Sequence, residues 1–116
     1  MPVFTLNTNI PSSKVTKEFL KSTSELVANL LGKPESYVAV QVNAGLEHMM
    51  FAGTSEPCGV ATLMSIGGVG GGKNNSHSEK LFKHVSSALG IPGGRMYIQF
   101  INAGPSDVGH NGRTFG

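Results

Sequence analysis

The chain has 116 residues, enough for a single domain over 1–116 with a modest core. A net charge of +2, with basic residues scattered along the chain, argues against a nucleic-acid or membrane partner. One cysteine, Cys58, rules out an internal disulfide and a Cys-x-x-Cys redox pair, and no basic-then-apolar leader or membrane-length apolar run is present.

The chain opens Met1-Pro2-Val3-Phe4. Initiator methionine is usually trimmed before a small residue, which leaves Pro2 as a secondary amine heading a strand predicted over Val3–Asn7. An unperturbed α-amino group has a pKa of about 7.7–8.0, and burial or a nearby cation lowers it. Such an amine is a base at neutral pH. Asn9-Ile10-Pro11-Ser12-Ser13 reads as a turn and helix start. Val15, Phe19, Leu26, Val27, Leu30 and Leu31 then recur at helical spacing. Gly32 ends that helix and Pro34 prevents its continuation. A strand follows over Tyr37–Val42, then an irregular connection from Gly45 to Pro57 in which His48, Met49, Met50 and Phe51 read as packing residues.

Cys58 reads as a small buried hydrophobe, and Gly59–Ile66 as the third strand. The run Gly67-Gly68-Val69-Gly70-Gly71-Gly72-Lys73 matches a phosphate-cradling loop until Asn74, where the metal-binding Ser or Thr belongs. With no strand-end aspartate to complete a magnesium site, these glycines read as providers of tight backbone conformations. Ser76-x-x-Glu79 is a capping box ahead of Leu81, Phe82, Val85 and Leu89, with an earlier start, several residues before it, left open, and Gly90 ends that helix. Met96–Ile101 is the fourth strand, and Asn102–Gly116 a polar tail too rich in turn formers for another helix.

Residues of about 2–45 and 59–104 echo one another. Thr5-Leu6 answers to Thr62-Leu63, Leu31-Gly32 to Leu89-Gly90, and Asn43-Ala44-Gly45 to Asn102-Ala103-Gly104. The repeat predicts an α+β fold of two pseudo-symmetric β-α-β units, joined in one four-stranded sheet with two helices on one face. Val38, Val40, Val42, Met96, Ile98 and Phe100 should face the helices. The other face, with Tyr37, Ala39, Gln41, Tyr97 and Gln99, is expected to meet another subunit. Lys33 stands out, because its counterpart in the second half is Ile91 and helix termination therefore does not need a lysine. Beside Pro2 it would lower the amine pKa and attract an anion. His48, His77, His84 and His110 have no cysteine or carboxylate at ligand spacing, so no metal site is expected, and no nucleophile elbow is present.

These residues carry a resemblance along essentially the whole chain. Pro2, Asn7-Thr8-Asn9 with Pro11, Gly32-Lys33-Pro34 with Tyr37, Ser55-Glu56-Pro57-Cys58 and Ser65-Ile66-Gly67 are among its motifs. So are Asn75-Ser76-His77-Ser78, Tyr97-Ile98, and Val108-Gly109-x-Asn111 with Thr114-Phe115. The chain resembles the macrophage migration inhibitory factor family, which includes D-dopachrome tautomerase; Tyr97 and the tail favour the inhibitory-factor branch. The resemblance implies a homotrimer with sites at subunit boundaries, needing no cofactor or metal. It implies keto–enol isomerisation of small aromatic α-keto acids such as phenylpyruvate, and tautomerisation of dopachrome esters.

By that resemblance Pro2 is the general base, and Lys33 holds the carboxylate or stabilises the enolate, aided by the Ile66 backbone amide. Tyr97 and Gln99 enter from a neighbouring subunit, while Tyr37, Met64, Ser65, Val108, His110 and Phe115 line the pocket. The chain departs from the family's common pattern at Gln99, where Asn is usual, at His110, where an aromatic is usual, and at Ala61, where a second cysteine is usual. The family further implies cytoplasmic residence, release from cells by a non-classical route, and binding to a cell-surface receptor. The alternative reading is therefore a secreted pro-inflammatory cytokine with a vestigial pocket.

Overall fold

Alternation of apolar and polar residues from Pro2 to Thr8 produces strand β1 (Pro2–Thr8), in which every second side chain is buried. The computed structural model describes residues 1–116. After a 3-10 turn at Ser12–Lys14 comes helix α1 (Lys17–Leu31), then strand β2 (Ala39–Asn43). The second unit repeats the order as β3 (Gly59–Ser65), α2 (Lys73–Leu89) and β4 (Met96–Asn102). The tail adds a short hairpin, β5 (Gly109–His110) and β6 (Arg113–Thr114).

The main sheet has the order β2-β1-β3-β4. Each unit pairs its own strands in parallel, and the units meet through the antiparallel β1–β3 pair. Phe4, Leu6, Ala61 and Leu63 from the two central strands are at most 1% exposed and form the core with Val27, Leu31, Leu81 and Val85 of the helices. Val38, Val40, Val42, Ile98 and Phe100 pack against that core, as their parity predicts, and Met96 lies within it. The opposite face bares Val60, Tyr97 and Ile101. Two helices cover only one side of a sheet, so no helix of the same chain lies above these side chains.

Several boundaries differ from the sequence expectation. Pro11-Ser12-Ser13 starts only the 3-10 turn; α1 begins after Thr16, whose hydroxyl accepts from the Phe19 N–H at 3.0 Å. Tyr37 belongs to a 3-10 turn at Glu35–Tyr37 that Pro34 introduces, so β2 starts two residues later. The Ser76 capping box is not used. Helix α2 begins at Lys73, and the Asn74 side chain accepts from the Gly70 N–H at 2.8 Å instead. Gly68 shows why glycine is needed ahead of α2: its φ is +78°, and a Cβ there would sit 3.3 Å from the Leu31 side chain. In the 45–57 connection His48 and Met50 are exposed rather than packed. Cys58 is fully buried, as expected of a small apolar residue.

Histidines seal the helix layer. His77, only 7% exposed, bonds through Nε2 to the Gly68 carbonyl at 2.7 Å, and its Nδ1 has no partner. His84 stacks on Phe19, with ring centroids 5.2 Å apart, and its Nε2 lies 2.9 Å from the Thr23 hydroxyl. That hydroxyl already donates to the Phe19 carbonyl at 2.6 Å, so it accepts from His84 Nε2–H. Burial lowers the His84 pKa from its ordinary 6.5. The unfolded chain therefore binds this proton more firmly, and stability falls as pH drops through about 6.5 towards the folded value. His84→Gln keeps an N–H donor without titrating. Its urea midpoint should fall less between pH 7.5 and 5.5 than that of the unsubstituted chain.

Candidate active site

The head of β1 lies deep in the sheet. Pro2 is buried and sits opposite Ser65, the last residue of β3, in the antiparallel register. Val3 lies opposite Met64, and Ile66 follows directly as the chain leaves the sheet. The β3 end is fixed by two further bonds, Ala103 N–H to the Ser65 carbonyl at 2.9 Å and Gly67 N–H to the Asn102 side-chain oxygen at 3.0 Å. Ser65 Oγ is buried without a hydrogen-bond partner.

Lys33 reaches this corner because of how α1 stops. Gly32 turns left-handed at φ 62°, and the Lys33 N–H closes back on the Ala28 carbonyl at 3.1 Å. Nearby Glu35 is engaged by Lys21 at 2.9 Å, so Lys33 has no carboxylate of its own. The amino group of Met1 feels both surroundings: burial, and then the Lys33 charge, lower its pKa below the usual 8.0. An amine and an unpaired lysine thus meet at the end of the sheet where β1 begins.

Three aromatic rings stand together at the tail. Tyr37 meets His110 and Phe115 edge-on, at centroid separations of 5.7 and 6.0 Å, and His110 stacks on Phe115 at 5.8 Å. The β5–β6 hairpin makes this possible. Asn111 and Gly112 take φ of 52° and 85°, the left-handed pair that a tight hairpin demands. The Phe115 N–H then donates to the buried Val108's carbonyl at 3.2 Å, which returns the chain end towards Tyr37.

Tyr97 and Gln99 lie elsewhere in the chain. Tyr97 pairs with Val60, which pairs with Asn7, whereas Pro2 is at the level of Ser65 and Asn102. At about 3.3 Å per residue, Tyr97 is about 16 Å and Gln99 about 10 Å along the strands from the Pro2 level, and both are two strands across. A single chain does not bring them to Pro2. Tyr97 rests instead on Phe51, with centroids 4.9 Å apart, beside an apolar hollow of about 340 Å³ lined also by Met50, Ala52 and Val60. A larger groove of about 570 Å³ between the helices, along Leu26, Lys80 and His84, holds none of the predicted site residues. No three His, Cys, Asp or Glu side chains converge as a metal cage, and no helix is long and apolar enough to cross a membrane.

Two contributors escaped the sequence reading, the hairpin turn and Arg95. The Asn111-Gly112 dipeptide is a local hairpin signal that the turn-rich composition of the tail obscured. The Arg95 side chain has no local signal, since every carbonyl its guanidinium binds is at least 38 residues away.

Known proteins share this architecture and sequence. The sequence profile described as "Macrophage migration inhibitory factor (MIF)" matches residues 1–116. A macrophage migration inhibitory factor homolog of Trichuris trichiura is 59% identical over 115 residues, covering 99% of this chain and 100% of that protein. The macrophage migration inhibitory factor of Rattus norvegicus is 40% identical over 115 residues, covering 99% of each. The solved structure of the Trichinella spiralis factor superposes with a TM-score of 0.95 at 52% identity, over 97% of this chain and 99% of that one. With the profile spanning its whole length and relatives matching end to end, this chain belongs to the macrophage migration inhibitory factor family.

Proposed function

We propose that this chain is a tautomerase that works without a cofactor, interconverting keto and enol forms of small aromatic α-keto acids, with the freed Pro2 nitrogen as its general base. The observation that carries this reading is Pro2, buried at the head of β1, with burial and the Lys33 charge lowering the pKa of the amino group one residue before it. In the reaction the neutral amine takes a proton from the carbon next to the keto group, and the electron pair moves towards the oxygen. The same proton, now on the ring nitrogen, is returned to oxygen to complete the enol. Lys33 offsets the negative charge of the carboxylate and of the developing enolate, with the Ile66 amide beside it. Tyr37, Met64, Ser65, Val108, His110 and Phe115 shape the pocket for an aromatic ring.

The distance between Pro2 and Tyr97 within one chain favours a site completed by a neighbour, and the uncovered sheet face with Val60, Tyr97 and Ile101 suits the homotrimer we infer. Tyr97 and Gln99 then come from the adjacent subunit. Gln99 offers an amide donor on a longer arm than Asn, and His110 replaces part of the usual aromatic wall. We further infer a cytokine-like role outside the cell after non-classical release, alongside a cytoplasmic pool. Receptor binding through the outer surface does not require turnover.

The test joins two measurements on one preparation. Intact mass should show loss of one methionine, and the same sample should accelerate ketonisation of phenylpyruvate enol, followed by the fall in its ultraviolet absorbance. A chain that retains Met1 has an amide at Pro2, and full activity from such a chain would refute the mechanism.

A further inference from the structure

Arg95 occupies the approach to β4, two residues before Tyr97, and its guanidinium spans a whole loop. Nε donates to the Pro57 carbonyl at 2.9 Å and Nη1 to the Phe51 carbonyl at 3.1 Å. Nη2 donates to the carbonyls of Glu56 at 3.0 Å and Thr54 at 3.3 Å. The guanidinium carbon also lies 5.7 Å from the centroid of the Phe51 ring. The loop's own bonds are few: a Phe51–Thr54 backbone bridge of 3.0 Å in each direction, and Asn9 holding Ser55 and Glu56 from the other side. Phe51, held in this way, is the ring on which the exposed Tyr97 leans.

Nothing about carboxylate pairing explains this arginine, because it faces only carbonyl oxygens and one aromatic ring. Four bonds from one planar fork fix the loop's distance and angle to β4 together, which the point charge of a lysine does not reproduce. Tyr97 itself is 68% exposed and makes no side-chain hydrogen bond, and the aromatic ring it meets within the chain is Phe51.

We propose that Arg95 is a positioning residue, clasping the 51–57 loop so that Phe51 braces Tyr97 in the orientation a neighbouring subunit's substrate pocket requires. This rests on the reading of Tyr97 as a pocket residue supplied across the subunit boundary. The clasp acts on substrate binding and leaves proton transfer at Pro2 alone.

Arg95→Lys, which keeps the charge, should raise KM for phenylpyruvate about tenfold while kcat stays within about twofold. In a Tyr97→Ala background the same change should move KM by less than about twofold, because the two substitutions remove one shared effect. Phe51→Leu, which leaves the carbonyls clasped, should reproduce the KM rise. Amide hydrogen exchange at Phe51 and Thr54 should quicken in Arg95→Lys and remain slow in Phe51→Leu, with light scattering confirming an unchanged assembly. Additive effects of Arg95→Lys and Tyr97→Ala on KM, or a kcat loss in Arg95→Lys with KM unchanged, would overturn the proposal. So would unaltered exchange in Arg95→Lys, whether or not the protein turns over phenylpyruvate. An inactive parent chain with quickened exchange in Arg95→Lys sinks the tautomerase reading and leaves the clasp standing.

Discussion

Pro2→Gly should slow ketonisation of phenylpyruvate enol by about 10²- to 10⁴-fold, the range a positioned general base contributes. Glycine still offers an amine once Met1 is removed, so the expected loss comes from position and basicity. The pyrrolidine ring is buried in the β1–β3 ladder and fixes the direction of its nitrogen, whereas a glycine terminus rotates and hydrates. The amine of Met1 feels burial and Lys33, and Pro2 lies one residue further into the sheet and is fully buried. Activity should therefore rise with pH and level off below the point at which an ordinary α-amine, of pKa about 8, would do so. A Pro2→Gly protein within tenfold of the parent would remove the ring nitrogen from the mechanism.

Phe4→Ala should cost about 3–5 kcal/mol of folding stability. Phe4 is fully buried at the centre of the sheet, flanked by Val40 of β2 and Leu63 of β3, and its ring fills the space beneath both helices. The surroundings are rigid on each side, so little collapse can refill the void. Urea unfolding at matched protein concentrations measures the loss, and repeating it over a concentration series separates it from any effect on assembly. A loss below about 1 kcal/mol would mean that the core repacks around alanine.

The repeat makes most of the fold legible in the sequence. Gly32 and Gly90, matched in the two halves, both end helices in left-handed geometry with φ of 62° and 73°. The parity of Val40, Val42 and Ile98 against Gln41 and Gln99 identified the covered face. Helix starts were harder to read. The Ser-rich stretch after Pro11 and the capping box at Ser76 are strong local signals, and each lost to a neighbour. The hydroxyl of Thr16 caps α1, and the glycine loop lets α2 begin four residues ahead of the start that a Ser76 cap would give, without any side-chain cap. At the site, Lys33 was visible because the second half lacks it. The spatial split between Pro2 and Tyr97 follows from strand register, and the Arg95 contacts span distant segments; neither can be read from spacing along the chain.

On the proposed mechanism, the two-unit frame limits how many catalytic corners an assembly can own. Strand β3 is the counterpart of β1, yet it is entered from Cys58 through an ordinary peptide bond, so its first nitrogen is an amide. The position matching Lys33 is Ile91, fully buried and without charge. Near-symmetry in shape therefore goes with asymmetry in the proposed chemistry: the Pro2 corner would carry the reactive amine, and its geometric twin is covalently sealed. An oligomer of any size holds one amine-bearing corner per chain.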